Sequence, residues 1–194
     1  YIKGYLPGVR ENGGQYTHGA LWAVRALAEA GRGDRAARLL EMLSPVTRTR
    51  TPGDVRTYQV EPYVIAADVY GVAPHLGRGG WTWYTGSAGW MFRVALESVL
   101  GLAIVGGAHL TLRPCLPAEW PGYSIHYRLP GGATSYAISV EQPSRRPDRT
   151  VATLDDAPVE VREGAVWLPL LEDGGSHAVR VVLGEDVGPV YRER

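Results

Sequence analysis

The chain has 194 residues, and its 20 basic and 20 acidic side chains cancel without either sign forming long blocks. That balance excludes a nucleic-acid footprint and a polybasic membrane anchor, and no apolar run approaches the roughly 20 residues needed to span a bilayer. Cys115, the single cysteine, cannot form an internal disulfide, no Cys/His cluster has metal-ligand spacing, and 45% hydrophobic residues supply a substantial core.

The first residue is Tyr1 rather than Met, at the edge of what reads as a functional loop from Gly4 to Gly14, so the chain is read as a fragment of something longer. Arg10, Glu11, Asn12, Gln15 and His18 crowd this glycine-containing loop where it leads into a helix. Carboxylates and amides of fixed geometry grip sugar hydroxyls, and a His at a helix start can donate to an oxyanion. A capping network with His18 packed on Trp22 one turn later accounts for the same residues.

Thr17 predicts the cap of a first helix through Leu21, Trp22, Val24, Leu27 and Ala28, ending at Gly31-Arg-Gly33. A second helix starts near Asp34, carries Ala36, Leu39, Leu40 and Leu43, and stops at Ser44-Pro45. Pro52-Gly53-Asp54 reads as a turn in a polar loop, and Pro62 as the first turn of a third helix through Val64, Ala66, Ala67 and Tyr70. Glu61, just before Pro62, falls at the expected N-cap, where electrostatics alone explain a carboxylate. Asp68 lies further along that helix and receives no role.

A long glycine-rich loop then leads to a fourth helix over roughly Ser87 to Leu100, closed by Gly101. In Arg78–Trp90 the residues Trp81, Trp83 and Trp90 alternate with glycines and small hydroxyls. Flat aromatic faces suit sugar rings, while Thr85, Gly86 and Ser87 fall where unpaired helix-start N–H groups favour an anion. The plainer alternative is that the tryptophans fill a core and Thr85 only caps the helix.

From residue 102 the apolar period changes from 3.6 to two. Leu102–Val105 and His109–Arg113 read as a hairpin across Gly106-Gly107, and Tyr123–Leu129 and Thr134–Val140 flank a turn at Pro130-Gly131-Gly132. Thr150–Leu154, Val159–Arg162, Val166–Leu170 and His177–Leu183 are further strands, and the residues after Val187 read as a frayed tail. The expected fold is α+β, with helices over 1–101 and an antiparallel sandwich, without parallel pairing, over 102–194. Tyr123, Tyr127, Tyr136 and Trp167 are expected in the sandwich core, and His109, His126 and His177 need no special role.

Four strings in order, Val9–His18, Val60-Glu-Pro-Tyr-Val64, Gly79-Gly-Trp-Thr-Trp-Tyr-Thr-Gly-Ser-Ala-Gly-Trp90 and Leu112-Arg-Pro-Cys-Leu-Pro117, resemble glycoside hydrolase family ninety-four, the inverting β-glucoside phosphorylases. The wording of the third string is shared with the phosphorylase region of cyclic β-1,2-glucan synthases and with 1,2-β-oligoglucan phosphorylases. The resemblance covers roughly residues 4–141.

It implies the last helices of an (α/α)6 toroid followed by a C-terminal β-sandwich. It also implies phosphate held at the positions of His18, Thr85 and Gly86, together with an Arg from earlier in the parent chain. Glu11 matches a Glu of the sugar site; Arg10, Gln15, Glu61 and Trp83 complete the expected substrate contacts. The family's general acid is an Asp upstream of the first motif, so no catalytic residue is expected in this chain, and the fragment alone is expected to be inactive. Inorganic phosphate is a co-substrate, no cofactor or metal is implied, and the partners are a β-glucan oligosaccharide and phosphate or α-glucose 1-phosphate. The expected location is the cytoplasm; anchoring of the full-length parent in an inner membrane, with this part on the cytoplasmic side, is left open, as is its homodimerisation. Two alternatives are carried: an inverting glycoside hydrolase on the same toroid, with Glu11 or Glu61 as base, and a non-catalytic carbohydrate-binding piece.

Overall fold

The computed structural model describes residues 3–83 and 86–186. Residues up to Leu27 together with Arg35–Ala95 form one compact unit, and Ala28–Asp34 together with the residues from Leu96 onward form a second. Among the described residues no helix is long and apolar enough to cross a membrane.

The first unit opens with a glycine loop that ends in a short strand, β1 (Gln15–Tyr16), directly followed by α1 (Thr17–Glu29). Leu21 and Val24 on α1 are fully buried, as the helical spacing of its apolar residues requires. The second helix, α2 (Gly33–Leu43), carries Asp34 in its first turn and buries Ala36 and Leu43.

The third helix is not where the apolar run suggests. It is α3 (Pro52–Tyr58), over the stretch that reads as a turn. Thr51 accepts from the Asp54 N–H at 3.2 Å while Asp54 Oδ2 accepts from the Thr51 N–H at 3.0 Å, a reciprocal cap with Pro52 just inside the helix. The expected helix from Pro62 is instead loop and a strand, β2 (Asp68–Val69), paired antiparallel with β1. Its apolar residues Val64, Ala66, Ala67 and Val69 are buried, but in an extended segment. A short apolar run suits a buried strand as well as a buried helix, and here tertiary pairing decides. The fourth helix, α4 (Ser87–Arg93), continues as a π-helical turn over Val94–Val99.

The second unit is a two-sheet sandwich. One sheet holds β3 (Leu102–Val105), β4 (His109–Leu112), β9 (Glu160–Arg162) and β10 (Ala165–Pro169) in the order β3-β4-β10-β9. The other holds β5 (Gly122–Arg128), β6 (Ser135–Glu141), β7 (Val151–Leu154), β8 (Ala157–Pro158) and β11 (Ser176–Val182) in the order β5-β6-β11-β7-β8. Leu110, Leu112, Val166 and Leu168 from the first sheet meet Tyr136, Ile138, Val140, Val179 and Val181 from the second in one core. At Gly101 (φ 76°) a Cβ would overlap the Arg113 carbonyl, whose residue donates its N–H to Gly101 O at 2.9 Å, so the entry to β3 requires glycine.

Two expectations fail in this unit. β11 runs parallel to β6, from Ser176 opposite Ser135 to Val182 opposite Glu141, so the five-stranded sheet is mixed; its other pairs are antiparallel. Trp167 is half-buried on the opposite face of β10 from Val166 and Leu168, beside His109 (5.8 Å between ring centroids) and under the Arg162 guanidinium at 5.4 Å. Alternation along a strand sends Trp167 outward once its neighbours occupy the core. The tail after Val187 lies outside the described residues.

Candidate functional site

Short backbone bonds weave the glycine loop, β1–β2 and the aromatic loop of the first unit together. Gly8 N–H donates to Asn12 O at 2.8 Å, Gly14 N–H to Arg10 O at 2.9 Å and Gly71 N–H to Gly8 O at 2.8 Å. On the other side of β2, Ala67 N–H donates to Trp81 O at 2.6 Å and Gly80 N–H to Asp68 O at 2.8 Å. Thr17 N–H, at the start of α1, donates to Ala67 O at 2.9 Å. The loop that precedes α1 and the loop that precedes α4 are thereby tied to the same short strand.

Between them lies a cavity of about 190 Å³ lined by Arg10, Tyr16, His18, Ala67, Trp81, Gly86 and Ser87. Arg10 supplies a cation, with its guanidinium carbon 4.2 Å from the Trp81 ring centroid and 5.5 Å from that of Tyr5. Arg10 takes a left-handed φ of 47°. His18 sits among aromatic rings, 6.2 Å from Tyr16 and 5.7 Å from Trp90 between centroids. Trp22 Nε1–H donates to His18 Nε2 at 3.1 Å. A cation, an imidazole and aromatic faces around a small cavity suit an anion-bearing sugar. Among the described residues no group of His, Cys, Asp and Glu is arranged to hold a metal ion.

The family model described as the Glycosyl hydrolase 94 superfamily, catalytic domain, matches residues 1–101. This chain belongs to that family. It is 48% identical over 166 residues to the cyclic beta-(1,2)-glucan synthase NdvB of Rhizobium meliloti, covering 86% of this chain and 6% of that protein. It is 32% identical to the N,N'-diacetylchitobiose phosphorylase of Vibrio proteolyticus (95% of this chain, 22% of the relative). To the solabiose phosphorylase of Paenibacillus borealis it is also 32% identical (93% and 22%). The chain therefore spans less than a quarter of the length of each of these relatives.

The residues expected to serve this glycosyl hydrolase 94 chain fall into three groups. His18, Gly86 and Arg10 line the cavity together, although far apart in sequence; Thr85 lies outside the described residues. Glu11 is exposed on the loop, and neither it nor Gln15 is part of the cavity wall; Gln15 donates to Thr17 Oγ1 at 3.0 Å and accepts from Arg48 at 3.5 Å. Glu61 and Trp83 pair with each other, Trp83 Nε1–H donating to Glu61 Oε1 at 3.2 Å, with Tyr63 edge-on to Trp83. The Glu61 backbone N–H first, and this indole second, hold its carboxyl below the usual carboxylate range. Glu61 and Trp83 are likewise absent from the cavity wall.

Tyr16 lines the cavity without having been marked in the sequence, because alternation in a two-residue strand is too short a signal; Ser87, named with Thr85 and Gly86 at the helix start, lines it as well. Asp68 is 1% exposed and its Oδ2 accepts the Arg10 N–H at 2.9 Å. The misplaced third helix concealed it, since a strand beside the glycine loop puts it where a helix would not.

Proposed function

We propose that this chain is the C-terminal part of an inverting β-glucan phosphorylase, of the β-1,2 type, which transfers a glucosyl unit between a β-glucan and phosphate to give α-glucose 1-phosphate. Residues 1–101 are the closing helices of the (α/α)6 catalytic domain and 102–194 its C-terminal sandwich. The observation that carries this reading is the cavity where Arg10, His18 and Gly86 meet, within the stretch that the family model matches. An imidazole, a guanidinium and the backbone at the start of α4 favour an anion there. Similarity to a glucan synthase and to two disaccharide phosphorylases supports a glycosyl donor.

Phosphate is already a nucleophile, so attack on the anomeric carbon needs no carboxylate base. The bond from that carbon to the leaving glucan oxygen breaks, and an acid must protonate the oxygen. We place that acid, an Asp, outside this chain. The chain alone then holds phosphate but lacks an assistance worth about 10²–10⁴-fold, and is inactive. Trp22, Trp83 and Phe92 are 48%, 72% and 68% exposed, which also supports low solubility of the isolated piece.

The test is release of inorganic phosphate from α-glucose 1-phosphate with a β-1,2-glucan acceptor, run on the 194-residue chain and on the full-length protein. Turnover by the full-length protein alone supports the proposal. Equal turnover by the short chain would place the acid at Glu11, Glu61 or Asp68.

A further inference from the structure

We propose that Asp68 is a positioning residue for substrate binding, holding Arg10 in its left-handed conformation and so setting the guanidinium at the wall of the His18 cavity. The inference rests on the reading of that cavity as a site for phosphate and sugar.

Arg10 has φ 47°, a region that non-glycine residues adopt at a cost, and such a residue persists only when its surroundings hold it. The bond to the Arg10 backbone comes from a carboxylate 58 positions away, Asp68 Oδ2 accepting its N–H at 2.9 Å. Burying a carboxylate is costly unless it is hydrogen-bonded, yet Asp68 is 1% exposed. Its place is fixed from both sides: Tyr16 of β1 pairs with it in register, and Gly80 N–H donates to its carbonyl at 2.8 Å. Gly80 also makes room for it, since a Cβ there would overlap Asp68 Oδ1. The cation that results lies against Trp81, whose carbonyl is held by Ala67, the residue before Asp68. Both the guanidinium and the ring on which it stacks are thus referenced to one short strand. A planar guanidinium keeps its donors at its edge when stacked, so the angle of the stack decides what it can reach.

The experiment uses the full-length protein and measures kcat and KM for phosphate in phosphorolysis of a β-glucan, with thermal unfolding in parallel. Asp68→Ala is expected to raise the phosphate KM about tenfold with a smaller change in kcat, the loss typical of one hydrogen bond to a charged group. Asp68→Asn keeps an oxygen that accepts the same N–H and is expected to stay within about threefold of the parent. In an Arg10→Ala background, Asp68→Ala is expected to change KM no further, because the group it positions is gone.

Asp68→Ala that lowers only the unfolding temperature, with KM unchanged while Arg10→Ala raises it, overturns the proposal and leaves the reading of the cavity standing. An Asp68→Ala effect on KM that persists undiminished without the Arg10 side chain overturns it too. Phosphate KM unaltered by both His18→Ala and Arg10→Ala removes the reading of the cavity, and the proposal with it.

Discussion

Trp22 Nε1–H donates to His18 Nε2 at 3.1 Å, while the Trp90 ring packs 4.7 Å from that of Trp22 between centroids. With Nε2 accepting this bond, the proton of a neutral imidazole belongs on Nδ1, and in the function proposed above Nδ1–H is the donor to phosphate. Trp22→Phe removes the N–H and keeps an aromatic ring against Trp90. It is expected to raise the phosphate KM of the full-length protein by about three- to tenfold, the range for one lost hydrogen bond. Steady-state kinetics at varied phosphate check this; an unchanged KM would show that the indole only packs.

In the second unit His177 is bracketed by two carboxylates, Nδ1 at 2.7 Å from Asp155 Oδ2 and Nε2 at 3.1 Å from Asp173 Oδ1, with the Tyr136 ring 5.2 Å away. The bond to Asp155 first, then that to Asp173, raises the His177 pKa above its ordinary 6.5. Both carboxyls are lowered from 3.8, Asp155 by His177 first and Asp173 by the Gly175 N–H first. A raised imidazole contributes stability that is complete below pH 6.5 and is lost as pH rises through its folded pKa. The lowered carboxyls contribute stability present above 3.8 and lost as pH falls through their folded values. The unfolding temperature of the chain is therefore expected to be higher between these limits than in alkaline solution above the folded pKa of His177. His177→Gln should flatten the alkaline limb; a limb that stays steep would assign it to other groups.

Tyr136 is fully buried on β6, and its hydroxyl donates to Pro169 O at 3.1 Å and accepts from Leu171 N–H at 2.6 Å. These bonds pin the segment that leaves β10 for β11. Tyr136→Phe is expected to destabilise the chain by about 1–3 kcal/mol, the cost of removing both bonds and leaving the part-buried Leu171 N–H without its partner. Urea unfolding measures it, and a loss under 0.5 kcal/mol, the size of an ordinary surface change, would mean that water replaces the hydroxyl.

Thr51→Ala removes one half of the reciprocal cap of α3 and is expected to cost about 1 kcal/mol. The same urea experiment reads it. This cap also shows where the sequence was legible and where it was not. Thr51-Pro-Gly-Asp54 contains both a turn signal and a capping box, and nothing local separates them until a helix follows. The run Val64–Tyr70 was ambiguous for another reason: its residues are buried because β2 lies between β1 and the aromatic loop, a long-range fact. By contrast α1, α2 and α4 declare themselves through periodic apolar residues and end signals. Among the strands, β6 and β11 do so through alternation, as Tyr136, Ile138 and Val140 illustrate. The parallel pairing of β6 with β11 was invisible, because alternation sets which face a residue takes and says nothing about a strand's direction. In the site, the sequence drew attention to Arg10 by its glycine loop and to His18 and Gly86 by the starts of α1 and α4, whereas Asp68 depended on the strand that was missed.

The identity of the sugar product decides between phosphate and water as the nucleophile. The full-length protein is incubated with β-1,2-glucan and inorganic phosphate, and the products are followed by proton and phosphorus magnetic resonance from the first minutes. α-Glucose 1-phosphate is the expected product, formed at a rate that rises with phosphate and falls in His18→Ala. Release of free glucose at a rate independent of phosphate would contradict it and make water the nucleophile in that cavity.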